Sequence, residues 1–204
     1  MVSQDSRARI LTAAAREFAE RGFEGAKVDR IAARARVNKA MLYYHFANKA
    51  GLYAEILRDV FGAAADAVEA VPAAGGDPEA QLRAFVVAIA TGAVARPHFP
   101  PIWLREIAEG GRHLDQAVIG QMHRVMRTLQ GILGSGQRLG VFRDVPALVV
   151  QMAIAAPLLL FTASAPVRAR LKGKSPFAKP DLTPSDVIAY IQDATLAAVR
   201  RRLS

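Results

Sequence analysis

Residues 26–49 read Ala26-Lys-Val-Asp-Arg-Ile-Ala-Ala-Arg-Ala-Arg-Val-Asn-Lys-Ala-Met-Leu-Tyr-Tyr-His-Phe-Ala-Asn-Lys49 and predict two short helices joined by a tight turn. Val28, Ile31, Ala32 and Ala35 recur at helical spacing and give the first helix an apolar face. Arg36 and Val37 form the turn, and Asn38 is placed to cap the second helix, whose Leu42 and Phe46 pack inward. The pattern predicts a helix-turn-helix.

The outward face of the second helix has side chains that suit nucleic acid. Slim residues near its N-terminus can enter a major groove, while ammonium, hydroxyl and imidazole groups can meet base edges or phosphates. These outward residues are Lys39, Ala40, Met41, Tyr43, Tyr44 and His45. Amphipathicity alone favours an ordinary helical hairpin with a solvated basic face.

A longer run of residues carries a family resemblance. Arg9-Ile-Leu-Thr-Ala-Ala-Ala-Arg-Glu-Phe-Ala-Glu-Arg-Gly-Phe23, Val28-Asp-Arg-Ile-Ala-Ala-Arg-Ala35 and Val37-Asn-Lys-Ala-Met-Leu-Tyr-Tyr-His-Phe-Ala-Asn-Lys-Ala-Gly-Leu52 resemble the DNA-binding domain of the tetracycline-repressor (TetR/AcrR) family. The resemblance implies a three-helix DNA-binding domain, a homodimer formed through the last two helices, and a repressor released from a palindromic operator by a small ligand. A constitutively bound activator stays open.

Carried over position by position, the resemblance also implies the contacts to double-stranded DNA. Asn38, Lys39, Ala40 and Met41 lie near bases, and the expected phosphate contacts are Lys27, Tyr43, Tyr44, His45 and Lys49.

Two positions depart from the family pattern. Lys27 stands where the family usually has Thr or Ser, so the first helix loses a side-chain cap worth about 1 kcal/mol. Arg36 stands where Gly is usual, so it must adopt a positive φ at a cost of roughly 1 kcal/mol, or the turn must relax. Arg36 also adds a cation near the DNA.

Charge is concentrated at the same end of the chain. The net charge of the 204 residues is +9. Residues 1–50 hold ten Lys or Arg and five Asp or Glu, a balance of +5, and the longer remainder carries +4. A basic first quarter indicates an anionic partner such as nucleic acid, although a solubilising surface gives the same balance.

Helical periodicity continues through the rest of the chain and predicts an all-α protein of about nine helices. One stripe is Leu82, Phe85, Val86 and Ile89, and another runs from Val118 to Leu133. Asp77-Pro78 and Thr183-Pro184-Ser185-Asp186 are typical helix starts. Residues 172–181, rich in Lys, Pro and Gly, predict a loop. We expect a DNA-binding domain at 1–50 and a regulatory, ligand-binding and dimerisation domain at 51–204.

Other site types have little support in the sequence. There is no cysteine, and His45, His98, His113 and His123 lack the spacing of metal ligands, so we expect neither a metal nor another cofactor. No enzyme motif stands out, and Gly134-Ser-Gly136 has the wrong spacing for a dinucleotide site. Residues 148–165 are apolar but interrupted by polar residues and Pro157, which favours a buried helix over a membrane span. A cytoplasmic protein follows.

Family architecture implies a ligand pocket among the later helices. The candidate lining residues are Trp103, Met122, His123, Met126 and Phe161, and the candidate polar anchors are Arg105, Glu106 and Arg127. Met and aromatic residues at helical spacing are more often plain core. The alternative function is a helical ligand-binding or adaptor dimer that has lost specific DNA binding. Lys27 and Arg36 favour that alternative, and the Asn38–His45 face favours DNA binding.

Overall fold

A computed structural model describes residues 2–171 and 182–201, and the loop predicted at 172–181 lies outside them. The described residues form ten α-helices and no strand, one helix more than the roughly nine predicted. The helices are α1 (Val2–Gly25), α2 (Val28–Ala35), α3 (Lys39–His45), α4 (Lys49–Ala73), α5 (Pro78–Ala95), α6 (Phe99–Ala108), α7 (Gln116–Arg138), α8 (Ala147–Ala163), α9 (Ala165–Leu171) and α10 (Pro184–Val199).

The predicted helix boundaries are confirmed by backbone geometry. Asp77 caps α5 by accepting from the Ala80 N–H at 2.8 Å, and Thr183 forms a reciprocal capping box with Asp186 on α10. Gly22 breaks α1 with φ 70° and ψ 177°, a left-handed conformation that glycine adopts without strain. Local sequence therefore determines most helix ends.

The chain divides into two compact units. The first unit comprises Met1–Phe61 with His98–Ile119, and the second comprises Gly62–Pro97 with Gly120–Ser204. The first unit thus extends past residue 50, where we predicted a boundary, into the first part of α4. It also includes α6, because α6 packs directly on α1.

The core of the first unit lies beneath the helix-turn-helix. Ile10, Phe18, Ile31, Leu42 and Leu52 are all completely buried there. Phe18 and Phe23 also pack edge-on against Tyr53 of α4, at centroid distances of 4.9 and 5.2 Å. Helices α1–α3 are therefore held by one continuous apolar cluster that also takes in the start of α4.

The second unit is organised around α5, α7, α8 and α10. Its buried cluster contains the predicted stripes, including Leu82, Phe85 and Val86 of α5 and Val125, Leu129 and Leu133 of α7. Burial of such side chains contributes about 1.5–3 kcal/mol each.

Helix α8 is a correction to the buried helix predicted over 148–165. Val150, Ile154 and Leu158 face the core, but Leu148, Val149, Met152 and Leu160 are 57–61% exposed. One face of α8 packs on α5 and α10, and nothing in the described monomer covers the opposite face. No single described helix is long and apolar enough to span a membrane; only α8 and α9 taken together, with a 53° bend, reach that length and composition.

Candidate DNA-binding surface

The cap of α3 forms as the sequence predicts. The Asn38 side chain accepts a hydrogen bond from the Met41 N–H at 2.7 Å, which satisfies one of the unpaired donors at the helix N-terminus. Leu42 is completely buried and Phe46 nearly so, which fixes α3 on the unit core. This anchoring leaves Tyr43 44% and Tyr44 79% exposed on the other side, with Lys39, Ala40 and Met41 also exposed.

The turn between α2 and α3 keeps the geometry that the family pattern requires. Arg36 adopts φ 54° and ψ 46°, and it is the only non-glycine residue with positive φ among the described residues. The Val37 N–H donates to the Ala32 carbonyl at 3.0 Å and closes the end of α2. The turn therefore does not relax, and the strain of roughly 1–2 kcal/mol resides in Arg36.

Lys27 precedes α2 without capping it through its side chain, as predicted. It is exposed, as is Arg36, so both cations are accessible on the same unit as α3.

Lys39 is exposed but already has a partner on α2. Its ammonium lies 2.9 Å from Asp29, and this hydrogen bond raises the pKa of Lys39 above its usual value. The pair ties the start of α3 to the start of α2. An exposed pair of this kind contributes little to stability, so Lys39 can exchange it for a contact to DNA at little cost.

His45 and Lys49 correct the sequence picture, since neither points freely outward. The His45 Nε2 lies 2.8 Å from the Ser6 hydroxyl, and His45 is only half-exposed. The Lys49 ammonium donates to the Phe23 and Ala26 carbonyls at 3.0 and 3.4 Å and lies over the Phe23 ring. These partners are distant in sequence, so local pattern could not reveal them. Phosphate contacts by the two residues stay predictions.

The residues predicted to bind ligand are divided between the two units, and their role stays a prediction. Trp103, Arg105 and Glu106 belong to the first unit, whereas Met122, His123, Met126, Arg127 and Phe161 belong to the second. Trp103 packs edge-on against Phe61, with the ring centroids 4.9 Å apart. His123 and Arg127 are exposed on α7, and Phe161 carries the Arg168 guanidinium 3.9 Å above its ring.

Arg105, which is exposed, and Glu106, which is buried, both have hydrogen-bond partners within the first unit. Arg105 donates to the Phe18 and Ala19 carbonyls at 3.0 and 2.6 Å, near the break in α1. Glu106 is almost completely buried and accepts from the Tyr53 hydroxyl at 3.0 Å and the His113 N–H at 2.8 Å. Both residues therefore join α6 to the rest of the first unit, and their role as polar anchors for a ligand stays a prediction.

The hydrogen bonds at Glu106 set its ionisation. Burial would raise the pKa of Glu106, but hydrogen bonds from the His113 backbone, the His113 ring and Tyr53 outweigh burial and hold the pKa below its usual range. Burial and the same carboxylate raise the pKa of the Tyr53 phenol. Sequence reasoning missed Tyr53 and His113, although Glu106 on the apolar face of a helix was a usable signal.

Glu17 of α1 is a second buried carboxylate that the sequence analysis missed. It is completely buried and pairs with Arg30 and Arg34 of α2. Its place on the apolar face of α1, one residue before Phe18, was the available signal. Within the part of the chain that the structure describes, no group of three or more acidic or histidine side chains is arranged to hold a metal ion.

Comparison with known families gives matches over both parts of the chain. Residues 10–56 match the model described as Bacterial regulatory proteins, tetR family. Residues 78–194 match the model described as Tetracyclin repressor-like, C-terminal domain.

Individual relatives agree with the family matches. The HTH-type transcriptional repressor NicS of Pseudomonas putida is 30% identical over 141 residues, which cover 68% of this chain and 66% of NicS. The HTH-type transcriptional repressor SCO4008 of Streptomyces coelicolor is 50% identical over 52 residues, 26% of this chain and 27% of that protein. A bacterial regulatory protein in the tetR family from Rhodococcus RHA1 superposes with a TM-score of 0.77 at 19% identity, covering 97% of this chain and 98% of that one.

Proposed function

The chain belongs to the TetR family of bacterial regulatory proteins, and we propose from this premise that it is a DNA-binding transcriptional repressor. The observation that carries the proposal is the exposed face of α3 within an intact helix-turn-helix. Its cap, its turn and its buried anchors all have the geometry that presents a helix to a major groove. Such a regulator works where its operator lies, in the cytoplasm.

We assign the DNA contacts on this surface by position on α2, α3 and the start of α4. Ala40 and Met41 at the exposed start of α3 meet base edges, together with Asn38 and Lys39. The remaining contacts are to phosphates, from Lys27, Arg36, Tyr43, Tyr44, His45 and Lys49. Lys49 and His45 must then exchange or share their internal hydrogen bonds when DNA binds.

A homodimer on a palindromic operator is the second part of the proposal. The uncovered face of α8 and the 74% exposed Tyr190 of α10 supply apolar surface on the second unit. A two-fold pairing of these helices would cover that surface. Each subunit would then present one α3 to one half-site, with the half-sites about one DNA turn apart.

Release by a small apolar or aromatic ligand is the third part. Helix α4 starts at Lys49 in the first unit and continues into the second. A shift of α4 would therefore change the packing of both units. A hundredfold loss of operator affinity requires about 2.7 kcal/mol of differential ligand affinity between two conformations. A few buried apolar contacts supply that amount.

The experiment that tests the proposal is selection of a binding sequence. The purified protein is incubated with a library of random duplexes at 0.15 M salt, and enriched sequences are measured by fluorescence anisotropy. The proposal expects one enriched palindromic motif bound at least a thousandfold more tightly than scrambled duplex, as specific regulators bind. No enriched motif, with the protein folded, supports the alternative of a ligand-binding or adaptor dimer without specific DNA binding.

The same enriched duplex tests ligand release. Small apolar and aromatic compounds are screened for a rise in melting temperature, and each hit is added to the protein–duplex complex. Release of the duplex supports the coupling. Compounds that stabilise the protein yet leave affinity for the duplex unchanged contradict the ligand-release part, while leaving the DNA-binding part intact.

A further inference from the structure

Two arginines of α2 and the backbone N–H of Lys27, just before α2, converge on the buried carboxylate of Glu17. Its Oε1 accepts a hydrogen bond from Arg30 Nε at 2.6 Å and a longer one, at 3.4 Å, from the backbone N–H of Lys27. Its Oε2 lies 3.4 Å from Nη1 of Arg34 and has no hydrogen bond. A single side chain of α1 therefore contacts the start of α2 and two successive turns of it.

These contacts add directional restraints to the apolar packing of α2. The buried residues of α2 are Ile31, Ala32 and Ala35, so one large side chain and two alanines form its apolar contact. The hydrogen bond from Arg30 is directional, and the ion pair with Arg34 lies one turn further along the same face, so together they define the rotation of α2 about its axis. The bond from Lys27 N–H defines its position along the axis.

Glu17 also performs the task that an acidic residue at the third helical position has in a capping box; in α2 that position is Arg30. In a capping box, an acidic side chain in the first turn accepts from the N–H of the capping residue. Here the Lys27 side chain makes no cap, and Glu17 of α1 accepts from that same N–H. The carboxylate also places a negative charge at the positive end of the helix dipole.

We propose that Glu17 is the positioning residue that sets the orientation of the recognition helix α3 on DNA, acting through α2. The proposal rests on the DNA-binding function proposed above. Helix α3 follows α2 after a closed turn, in which the Val37 N–H donates to the Ala32 carbonyl of α2. A rotation or shift of α2 therefore moves α3 with it.

The consequence for DNA binding is selective. Base contacts need α3 in one register, whereas attraction to phosphates depends on charge and tolerates small displacements. Loss of the Glu17 carboxylate should therefore reduce affinity for the operator and leave affinity for unrelated duplex unchanged. A general loss of folded protein would reduce both affinities in equal proportion.

The test compares full-length wild type with Glu17→Gln on two duplexes. One duplex is the motif enriched by selection with wild-type protein, and the other is its scrambled sequence of equal length. Binding is measured by anisotropy at one salt concentration, at a temperature where circular dichroism shows both proteins folded. We expect at least a tenfold loss of operator affinity and less than a twofold change on the scrambled duplex.

Glu20→Gln is the matched control. Glu20 lies one turn further along α1 and also pairs with Arg34 of α2, at 2.7 Å, but it is partly exposed and also bonded to Arg16. We expect its affinity for both duplexes to stay within twofold of wild type. Arg30→Lys is the second test variant, used in place of Glu17→Gln if the latter is unfolded, because it keeps the charge and loses the guanidinium geometry. It should lose operator affinity alone.

The outcomes separate this inference from the proposed function. If wild type enriches no motif, the DNA-binding function fails and Glu17 loses its role with it. If wild type enriches a motif and the folded test variant keeps its operator affinity within twofold, the positioning role alone is overturned. Equal losses on both duplexes, in either variant, also overturn it, because they indicate a role in stability only.

Discussion

At the scale of single residues, we expect the exposed side chains of α3 to contribute to operator affinity but not to the stability of the fold. We expect Lys39→Ala and Tyr43→Phe each to weaken operator binding by roughly three- to thirtyfold, since each loses one polar contact to DNA. Lys39→Ala should also reduce the slope of log affinity against log salt by about one counterion. Thermal melting and anisotropy at three salt concentrations check this, and unchanged binding in both variants contradicts the assignment of α3.

The melting temperature of these two variants should stay near that of wild type. Lys39 loses only its exposed pair with Asp29, and Tyr43 is 44% exposed and loses a hydroxyl that has no hydrogen bond to another described residue. A large drop in melting temperature would show instead that the side chains hold the fold.

Glu106 gives a pH-dependent prediction. The pKa of Glu106 is lowered in the folded state. Its contribution to the free energy of unfolding is therefore fully present above its pKa in the unfolded chain, near 4.3, and is lost as the pH falls through its lower pKa in the folded protein. Glu106→Gln should destabilise the protein by about 2 kcal/mol or more at pH 7, because charge-assisted hydrogen bonds are lost in a buried site.

The measurement is the urea midpoint of wild type and Glu106→Gln at pH 7, 5, 4 and 3. The difference in urea midpoint between the two proteins should shrink toward pH 3. Other carboxylates affect both midpoints alike, so their contribution cancels in this difference. A difference that stays constant with pH would refute the ionised, hydrogen-bonded Glu106.

The sequence anticipated those residue features that depend on near neighbours. The Asn38 cap involves a residue three positions on, and the Arg36 conformation follows from the turn itself. It could not anticipate that His45 meets Ser6, 39 residues away, or that Lys49 turns back to Phe23, 26 residues away. Long charged side chains choose among several partners, and only the tertiary fold decides the choice.

At the scale of helices, glycines within α7 have opposite roles. A Cβ on Gly136 would lie 2.0 Å from a ring carbon of Phe142, whereas a Cβ on Gly131 meets nothing within 4 Å. Gly136→Ala should therefore destabilise the protein by roughly 1–3 kcal/mol through overpacking. Gly131→Ala in the same helix should stabilise it by about 0.5–1 kcal/mol. Urea unfolding of the pair checks this, and effects of equal sign would contradict it.

The sequence could predict the helices because their caps and stripes are local. The sequence favoured a helix break at Gly134-Ser-Gly136, but α7 continues through these residues to Arg138, and Gly136 is needed because of Phe142 beyond the end of the same helix. It also misjudged α8, because a continuous apolar run does not show how many of its faces are covered.

At the scale of the whole molecule, we expect a dimer held by α8 and α10. Met152→Glu combined with Tyr190→Glu should convert the dimer to a monomer at micromolar concentration, because two charges per subunit would be buried without partners. Val94→Glu is the control, since Val94 is a comparably exposed apolar residue on α5 of the same unit. Light scattering measures the mass. A dimer that survives the double substitution contradicts this interface.

The order of the two units along the chain has a consequence for synthesis. The first unit needs residues from both Met1–Phe61 and His98–Ile119, and α6 supplies Arg105 and Glu106 to it. At about 5–20 residues per second, the ribosome adds the 58 residues from 62 to 119 over roughly 3–12 s. During that interval the nascent helix-turn-helix lacks α6 and the partner of Tyr53, so a ribosome that stalls before residue 98 leaves this unit open to chaperones and proteases.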